Sequence, residues 1–130
     1  MGEIIASEFQ EQVMLVQWLD LMGLKYSSIP NSTWTSSIKQ KVRNKQSGLR
    51  PGLPDLLIAL PGTGLLFIEL KRTKQGVVSK AQQDWIDTIN SCPGAQAYVC
   101  KGFEAAKAVI EQFIVIRPSV GQRTGPELVF

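Results

Sequence analysis

Two carboxylates and a lysine lie in the stretch "GLPDLLIALPGTGLLFIELKRTK", from Gly52 to Lys74. Asp55 opens the first apolar run, and Glu69 and Lys71 lie one residue apart in the second. Two carboxylates a few ångströms apart repel each other unless a positive charge lies between them, and a divalent cation bound through oxygen meets that need. Such an ion activates water and stabilises charge on a phosphate, so the three residues predict metal-dependent phosphodiester hydrolysis.

The geometry of this set depends on a hairpin. On an extended strand Glu69 and Lys71 leave the same face, while Ile68 and Leu70 occupy the other. Asp55 joins them if the connecting loop has an odd number of residues, because Asp55 then lies opposite Glu69; an even loop would turn it away unless a bulge corrected the register. We predict Mg²⁺ or Mn²⁺, held by Asp55, Glu69 and the main-chain carbonyl of Leu70, since no soft ligand lies near to favour zinc.

Other kinds of catalytic site are excluded by composition. The chain contains no histidine, which removes Ser-His and Cys-His nucleophile systems and most zinc sites. Its two cysteines, Cys92 and Cys100, fit no metal-ligand spacing. Catalysis must therefore come from carboxylates, lysine or a hard metal, and we expect no nucleotide cofactor.

The basic residues are unevenly distributed. The net charge is only +3, yet nine of the 14 basic residues lie between positions 39 and 80, where Asp55 and Glu69 alone oppose them. Such a surplus suits a polyanion such as nucleic acid, and a solvated basic loop is the alternative. Besides Lys71, the residues predicted to bind nucleic acid are Lys39, Lys41, Arg43, Lys45, Arg50, Arg72, Lys74 and Lys80.

The first element that must position this chemistry is a helix. Ser7 is a plausible N-cap, Gln10 three residues later completes a capping box, and Gly23 ends the helix. Helical spacing predicts that one apolar stripe faces the core. That stripe comprises Phe9, Val13, Val16 and Leu19 or Asp20.

The remaining elements predict an α/β fold. "KYSSIPN" is extended, and the polar segment from Thr33 to Gly52 is expected to be partly helical around positions 37–45. "DLLIAL" and "GLLFIEL" form a hairpin, a helix follows from Ser79, then the strand "AQAYVC" and the helix "FEAAKAVIEQFI". The order helix, strand, strand, strand, helix, strand, helix indicates a small mixed sheet flanked by helices, with a parallel crossover to the fourth strand.

Length and hydropathy predict one domain without a membrane span. At 130 residues the chain matches one ordinary domain, and no apolar run approaches the roughly 20 residues that cross a bilayer. Glu3, Glu8 and Glu11 interrupt any signal-peptide-like start, so a cytosolic location is expected. We expect the folded domain to span residues 1–116, with residues 117–130 forming a loosely held or self-associating tail.

The motifs resemble a nuclease family. "PD" at Pro54 and Asp55, followed by "ELK" from Glu69, resembles the PD-(D/E)xK nuclease signature, and the wider pattern is similar to the virus-type replication-repair nuclease (VRR-NUC) domain. The matching pieces run from about Glu8 to Ile114. They are Glu8 with Gln12, "IPN" at Ile29, "RPGLPDLLI" at Arg50, "LFIELKR" at Leu66, "SKAQ" from Ser79 and "YVCKGFEAA".

The resemblance implies a restriction-endonuclease-like core and assigns a role to each site residue. It implies Asp55 and Glu69 as metal ligands and Lys71 as the catalytic lysine. It also implies Glu8 as an additional acid and Gln82 as a site residue. A homodimer acting on branched DNA such as four-way junctions, in replication, recombination or repair in a bacterial or phage-infected cytosol, is implied as well.

Several alternatives stay open at the level of sequence. Glu11 competes with Glu8 as the extra acid, and Gln82 can instead complete a capping box with Ser79. Trp34 is a candidate for stacking on a base. The rival functions are a non-catalytic nucleic-acid-binding module on the same fold and a metal-stabilised interaction protein with no nucleic-acid role.

Overall fold

The computed structural model describes residues 6–30, 35–74 and 76–114. Trp34 and the predicted tail at residues 117–130 lie outside these ranges. The predicted order of elements is confirmed, and the segment expected to be partly helical around positions 37–45 forms a helix between the first two strands. The elements are α1 (Glu8–Leu21), β1 (Lys25–Ser28), α2 (Ile38–Gln46), β2 (Leu56–Leu60), β3 (Gly64–Lys71), α3 (Lys80–Asn90), β4 (Ala95–Lys101) and α4 (Phe103–Ile114). None of the helices in the described ranges has the length and apolar character to cross a membrane.

A mixed four-stranded sheet organises the molecule, in the order β1-β2-β3-β4. β1 pairs antiparallel with β2 and β2 antiparallel with β3, whereas β3 and β4 run parallel. A parallel pair requires a crossover, and α3 supplies it. This crossover brings the N-terminus of α3 back over the end of β3 that carries Lys71.

The β2–β3 hairpin has the odd loop on which the site depends. Its register runs from Leu56 opposite Ile68 to Leu60 opposite Gly64, which leaves the three-residue loop 61–63. Continuing the register by one residue places Asp55 opposite Glu69. The odd loop is confirmed, and the condition for a shared face is therefore met.

The two faces of the sheet have different coverings. Under α1 and α4 lie Leu56, Ile58 and Leu60 of β2 with Leu66, Ile68 and Leu70 of β3. On the opposite face Phe67, Ala97 and Val99 pack against Ile86 and Ile89 of α3. Because side chains alternate along a strand, Glu69 and Lys71 continue the row of Phe67 and reach the α3 face.

The predicted inner stripe of α1 is wrong at two positions. Phe9 is 75% exposed and Val13 is 38% exposed, while the buried residues of the helix are Glu11, Leu15 and Leu19. Apolar residues surround α1 on most sides, so periodicity alone does not select a face. The inner face is set instead by the hydrogen bonds of Glu11 to Thr73 and Phe103, which are distant in sequence.

The segment that leads into Asp55 is fastened to α3. The indole Nε1 of Trp85 donates a hydrogen bond to the Pro51 carbonyl at 3.0 Å. Gly52 has a φ of +103°, and a Cβ at this position would lie 2.6 Å from the Ala81 carbonyl oxygen. Only glycine allows this close approach, which fixes the position of the Asp55 segment relative to the first turns of α3.

Replacing Gly52 by alanine tests this contact. The methyl group would overlap the Ala81 backbone and would impose a positive φ on an L residue, so we expect a loss of about 3 kcal/mol or more in unfolding free energy. Gly48→Ala is the matched control, because Gly48 has a φ of +93° but no atom within 4 Å of the added carbon. The control should lose only about 1–2 kcal/mol. Urea denaturation measures both, and equal losses would contradict a tight contact with α3.

Candidate active site

Asp55 lies just before β2, at one end of the central strands, and main-chain groups hold it there. Its Oδ2 accepts a hydrogen bond from the Leu70 N–H at 2.8 Å. Its own carbonyl accepts from the Ile29 N–H at 2.8 Å, which joins the residue after β1 to the same place. Pro54 beside it is fully buried. Asp55 is therefore fixed from two sides, its main chain by the residue after β1 and its carboxylate by β3.

Glu69, Lys71 and Gln82 form a closed triangle of polar contacts. The Lys71 Nζ lies 3.3 Å from Glu69 Oε2 and donates to Gln82 Oε1 at 2.9 Å. The Gln82 Nε2 donates to Glu69 Oε2 at 2.9 Å. Glu69 is only 2% exposed and Lys71 only 8%, so this triangle is shielded from bulk water.

The Gln82 side chain serves two purposes at once. Its Oε1 also accepts a hydrogen bond from the Ser79 main-chain N–H at 2.9 Å. The main-chain N–H of Gln82 in turn donates to the Ser79 hydroxyl at 3.1 Å. An amide oxygen has two lone pairs, so it accepts from the helix cap and from Lys71 together. With Oε1 facing two donors, Nε2 is left to donate to Glu69. The sequence offered the capping box as an alternative to a site role for Gln82. In the structure Gln82 does both, because the capping-box hydrogen bonds orient its side chain toward Lys71 and Glu69.

The two carboxylates are electrostatically strained. Burial, followed by the charge of Asp55, raises the pKa of Glu69 from 4.5 to about 7, although Lys71 opposes the shift. Burial also raises the pKa of Asp55, against the hydrogen bond from Leu70 and the charge of Lys71. Among the described residues, Glu69 Oε1 is the buried side-chain atom that has no hydrogen-bond partner. One ammonium does not balance the negative charge that this site carries when both acids are ionised.

This donor set fits a hard divalent cation. An unpartnered carboxylate oxygen and a second carboxylate on the same face are oxygen ligands that Mg²⁺ and Mn²⁺ accept. Within the described ranges, no group of three or more histidine, cysteine, aspartate or glutamate side chains could hold a metal on its own. An ion here would therefore take part of its coordination from main chain, water or substrate, as Mg²⁺ commonly does.

The structure separates the two acids of α1. Glu11 is 8% exposed, and its two oxygens accept hydrogen bonds from the Phe103 N–H at 2.7 Å and the Thr73 hydroxyl at 3.2 Å. It therefore satisfies the N-terminus of α4. Glu8 is exposed, and its charge contributes to the raised pKa values of both Asp55 and Glu69. Glu8 is thus the acid of α1 whose charge acts on the carboxylate pair.

The predicted nucleic-acid-binding residues are all exposed and form two groups. The first is carried by α2 and the turn that follows it, and the second by the segment that follows Lys71 and by the first residue of α3. The first group comprises Lys39, Lys41, Arg43, Lys45 and Arg50, and the second comprises Arg72, Lys74 and Lys80.

Comparison with known proteins identifies the family. The family model for the VRR-NUC domain matches residues 2–104. The chain belongs to the VRR-NUC family. This family is a nuclease-type domain family, and the resemblance drawn from the motifs is confirmed. No curated protein matches the chain.

Solved structures of VRR-NUC domains have the same fold. One described as a VRR_NUC domain protein is 24% identical with a TM-score of 0.71, over 88% of this chain and 93% of that one. Another, described as a VRR_NUC domain, is 21% identical with a TM-score of 0.59, over 83% of this chain and 99% of that one. The VRR-NUC match spans Glu8, Asp55, Glu69, Lys71 and Gln82.

One contributor to this VRR-NUC site was absent from the sequence prediction. It is the N–H group of Leu70, which fixes Asp55. This is a main-chain donor that any residue except proline carries, so no residue type marks it in a sequence. The Ser79 N–H, by contrast, belongs to the capping box that the sequence offered as an alternative role for Gln82.

The raised pKa of Glu69 makes stability depend on pH. Between 4.5 and about 7 the folded protein binds a proton at Glu69 that the unfolded chain has released. The stabilisation from this proton is complete below the lower value and is lost as pH rises through the upper one. We therefore expect metal-free protein to lose on the order of 2 kcal/mol between about pH 5 and pH 8, and Glu69→Gln to lose clearly less.

Denaturation in urea with chelator across this pH range measures the effect. Glu104→Gln, which neutralises an exposed acid in α4, is the matched control and should follow the wild type. Added Mg²⁺ or Mn²⁺ at about pH 8 should restore stability to the wild type but not to Glu69→Gln. Parallel pH profiles for wild type and Glu69→Gln would contradict the burial of a strained carboxylate.

Proposed function

We propose that the protein is a metal-dependent DNA endonuclease that hydrolyses phosphodiester bonds. The observation that supports this most strongly is the buried Glu69 carboxylate, which has one oxygen without a partner and lies on the same face as Asp55 and Lys71. A structural ion pair would satisfy both oxygens. A site that leaves one oxygen unsatisfied, raises the pKa of two acids and retains a lysine is suited to binding a cation and acting on a phosphate.

Three groups would hold the cation. Asp55 and Glu69 supply carboxylate oxygens, and the Leu70 carbonyl supplies the third. The Leu70 N–H points toward Asp55, and a strand residue directs its N–H and its carbonyl toward the same edge. Mg²⁺ or Mn²⁺ bound by these groups would supply a Lewis acid for the phosphate and lower the pKa of a water molecule.

Lys71 would bind the reacting phosphate directly. An ammonium group carries three donors, and two of them are directed toward Gln82 Oε1 and Glu69 Oε2. The third is available for a phosphate oxygen or for the attacking water, and it favours the charge that develops in the transition state. Gln82 keeps the lysine in place because its own amide is held by the cap of α3. Lys71 is thus presented in one orientation.

Glu8 and the basic residues after β3 would complete the surroundings of the reaction. Glu8 places a third carboxylate near Asp55 and Glu69, where it can accept a proton from water. Arg72 and Lys80 follow closely on Lys71 along the chain, and their charges attract the negatively charged DNA backbone toward an otherwise acidic site. Phosphate contacts of this kind position DNA without reading its sequence, so we expect shape rather than base sequence to govern selection.

A cleavage assay with labelled DNA tests this function. We expect cutting with Mg²⁺ or Mn²⁺, none with chelator, and a four-way junction cut faster than a linear duplex. Lys71→Ala should lower the rate by about 10²–10³-fold, because a preorganised charge at the transition state is lost. Lys101→Ala is the matched control: it removes an exposed lysine from the neighbouring position on β4 and should cut normally.

The same assay separates the acids and the rival functions. Glu8→Gln should cut slowly but unfold like the wild type, whereas Glu11→Gln should lose stability because it weakens the acceptor for the α4 terminus. Wild-type protein that binds DNA but never cuts would support the non-catalytic binding module. Full activity in Lys71→Ala would refute the proposed role of this residue.

We infer further that two copies act together on branched DNA. The family resemblance supports this, and so does the outer face of α1, where Phe9, Val13 and Met14 line one apolar groove. Phe9 is 75% exposed, and a large apolar side chain left in water favours association. Two copies would present two cleavage sites, as two strands of a junction require.

Sedimentation equilibrium tests the homodimer. We expect a dimer for the wild type, and for Phe9→Ser a dissociation constant raised about tenfold or more, since the loss of a buried aromatic contact typically costs at least about 1.4 kcal/mol. Val77→Ser is the matched control, because Val77 is 76% exposed but lies before α3. A monomer at all concentrations, or equal effects of the two substitutions, would contradict an interface on α1.

A further inference from the structure

Three cations of the first basic group converge on one pocket. Lys41, Lys45 and Arg50 line a shallow cavity between α2 and the turn that follows it, together with Asn44, Leu49 and Pro51. The cavity volume is about 300 Å³, which is the lower end of the range for small-ligand sites. The pocket is lined by different residues from those of the cleavage site at Asp55 and Glu69.

Helix geometry places only half of the α2 cations at this pocket. At 100° per residue, Lys41 and Lys45 lie one turn apart on the same side, and Lys39 and Arg43 lie together on a different side. No residue of α2 is buried, so all four side chains are available to solvent. The helix therefore carries two lysines that face the pocket and two cations that do not.

Arg50 is fixed in the pocket by the end of α2. Its Nη1 donates to the Lys45 carbonyl at 3.3 Å and to the Leu49 carbonyl at 3.1 Å. The guanidinium has five N–H donors, so donors remain after these two contacts. A planar group with donors held in one orientation is well suited to a phosphate, which it can bind through two parallel hydrogen bonds.

The pocket has an unbalanced positive charge. The sequence has no acidic residue between Asp20 and Asp55, and none of the three cations forms an ion pair with an acid of the described ranges. The C-terminus of α2 contributes only about half a negative charge. Three full positive charges outweigh it, so the pocket attracts an anion.

The position of the pocket relative to the cleavage site is restrained. Pro51 and Gly52, which follow Arg50 directly, are held against α3 by the Trp85 hydrogen bond and the Ala81 contact. Arg50 and Asp55 are five positions apart, so their Cα atoms lie at most about 18 Å apart. At about 3.4 Å of duplex axis per nucleotide of one strand, this span corresponds to about five nucleotides.

We propose that Lys41, Lys45 and Arg50 form a phosphate-binding pocket that holds one internal backbone phosphate of DNA, within about five nucleotides of the bond to be cut. The pocket anchors the DNA flank at a set distance from Asp55 and Glu69. The choice of DNA as the source of the phosphate rests on the proposed nuclease function. The convergence of three cations, none of them ion-paired within the described residues, on one cavity is independent of that function.

A binding experiment with two double variants tests the pocket. Affinity for a duplex is measured in chelator, where no cleavage occurs, for Lys41→Ala with Lys45→Ala and for Lys39→Ala with Arg43→Ala. Each variant removes two positive charges from exposed positions of α2. We expect the first to raise the dissociation constant at least tenfold and the second only about threefold, because Lys39 and Arg43 attract the DNA backbone by charge but do not line the pocket. Circular dichroism should show the same helix content in both.

The outcomes distinguish the pocket from the nuclease. Equal losses in the two double variants, or no loss in either, would overturn the pocket and leave wild-type cleavage as a separate result. A selective loss in the first variant, with no cleavage by the wild type under any metal, would support the pocket and refute the nuclease. The loss should persist on a duplex closed by hairpins at both ends; a loss confined to 5′-phosphorylated ends would overturn the assignment to an internal phosphate.

Discussion

The amide of Gln82 is the contact on which the site depends, because it joins the sheet to the helix that covers it. It reaches Glu69 and Lys71 on β3 while its oxygen remains bound to the Ser79 N–H at the start of α3. Without this amide, only their mutual attraction would set the positions of the buried carboxylate and the buried lysine. The bridging amide sets their positions relative to the sheet and leaves one carboxylate oxygen of Glu69 available.

The topology of the sheet explains how such an amide comes to lie there. The parallel pairing of β3 and β4 requires a helical crossover. This crossover begins with α3, whose N-terminus lies near the end of β3 that carries Lys71. On the other side of β3, the three-residue hairpin loop sets the side-chain alternation that turns Asp55 to the same face. Both neighbours of β3 thus contribute to the site: β2 through the hairpin register that orients Asp55, and β4 through the α3 crossover that brings Gln82.

Much of this arrangement was predictable because it follows local rules. Strand alternation placed Glu69 with Lys71, and the capping box placed Gln82 in the first turn of α3. The hairpin parity was not predictable, since either end of "PGTG" can belong to a strand. The inner face of α1 was predicted wrongly because the partners of Glu11 are Thr73 and Phe103, which are distant in sequence, and no local pattern contains them. Tertiary hydrogen bonds thus selected the buried face of α1, which apolar periodicity alone did not identify.

The hydrogen bond from the Phe103 N–H to Glu11 has a consequence for folding order. The two residues are 92 positions apart, and contacts of such long sequence separation form late because the loop between them must close first. Glu8 belongs to the same helix as Glu11, so its position relative to Asp55 and Glu69 is set only when α1 docks. During synthesis this docking must wait for residue 103 to emerge. We therefore expect α1 of a nascent chain to remain undocked until nearly all of the described domain has been made.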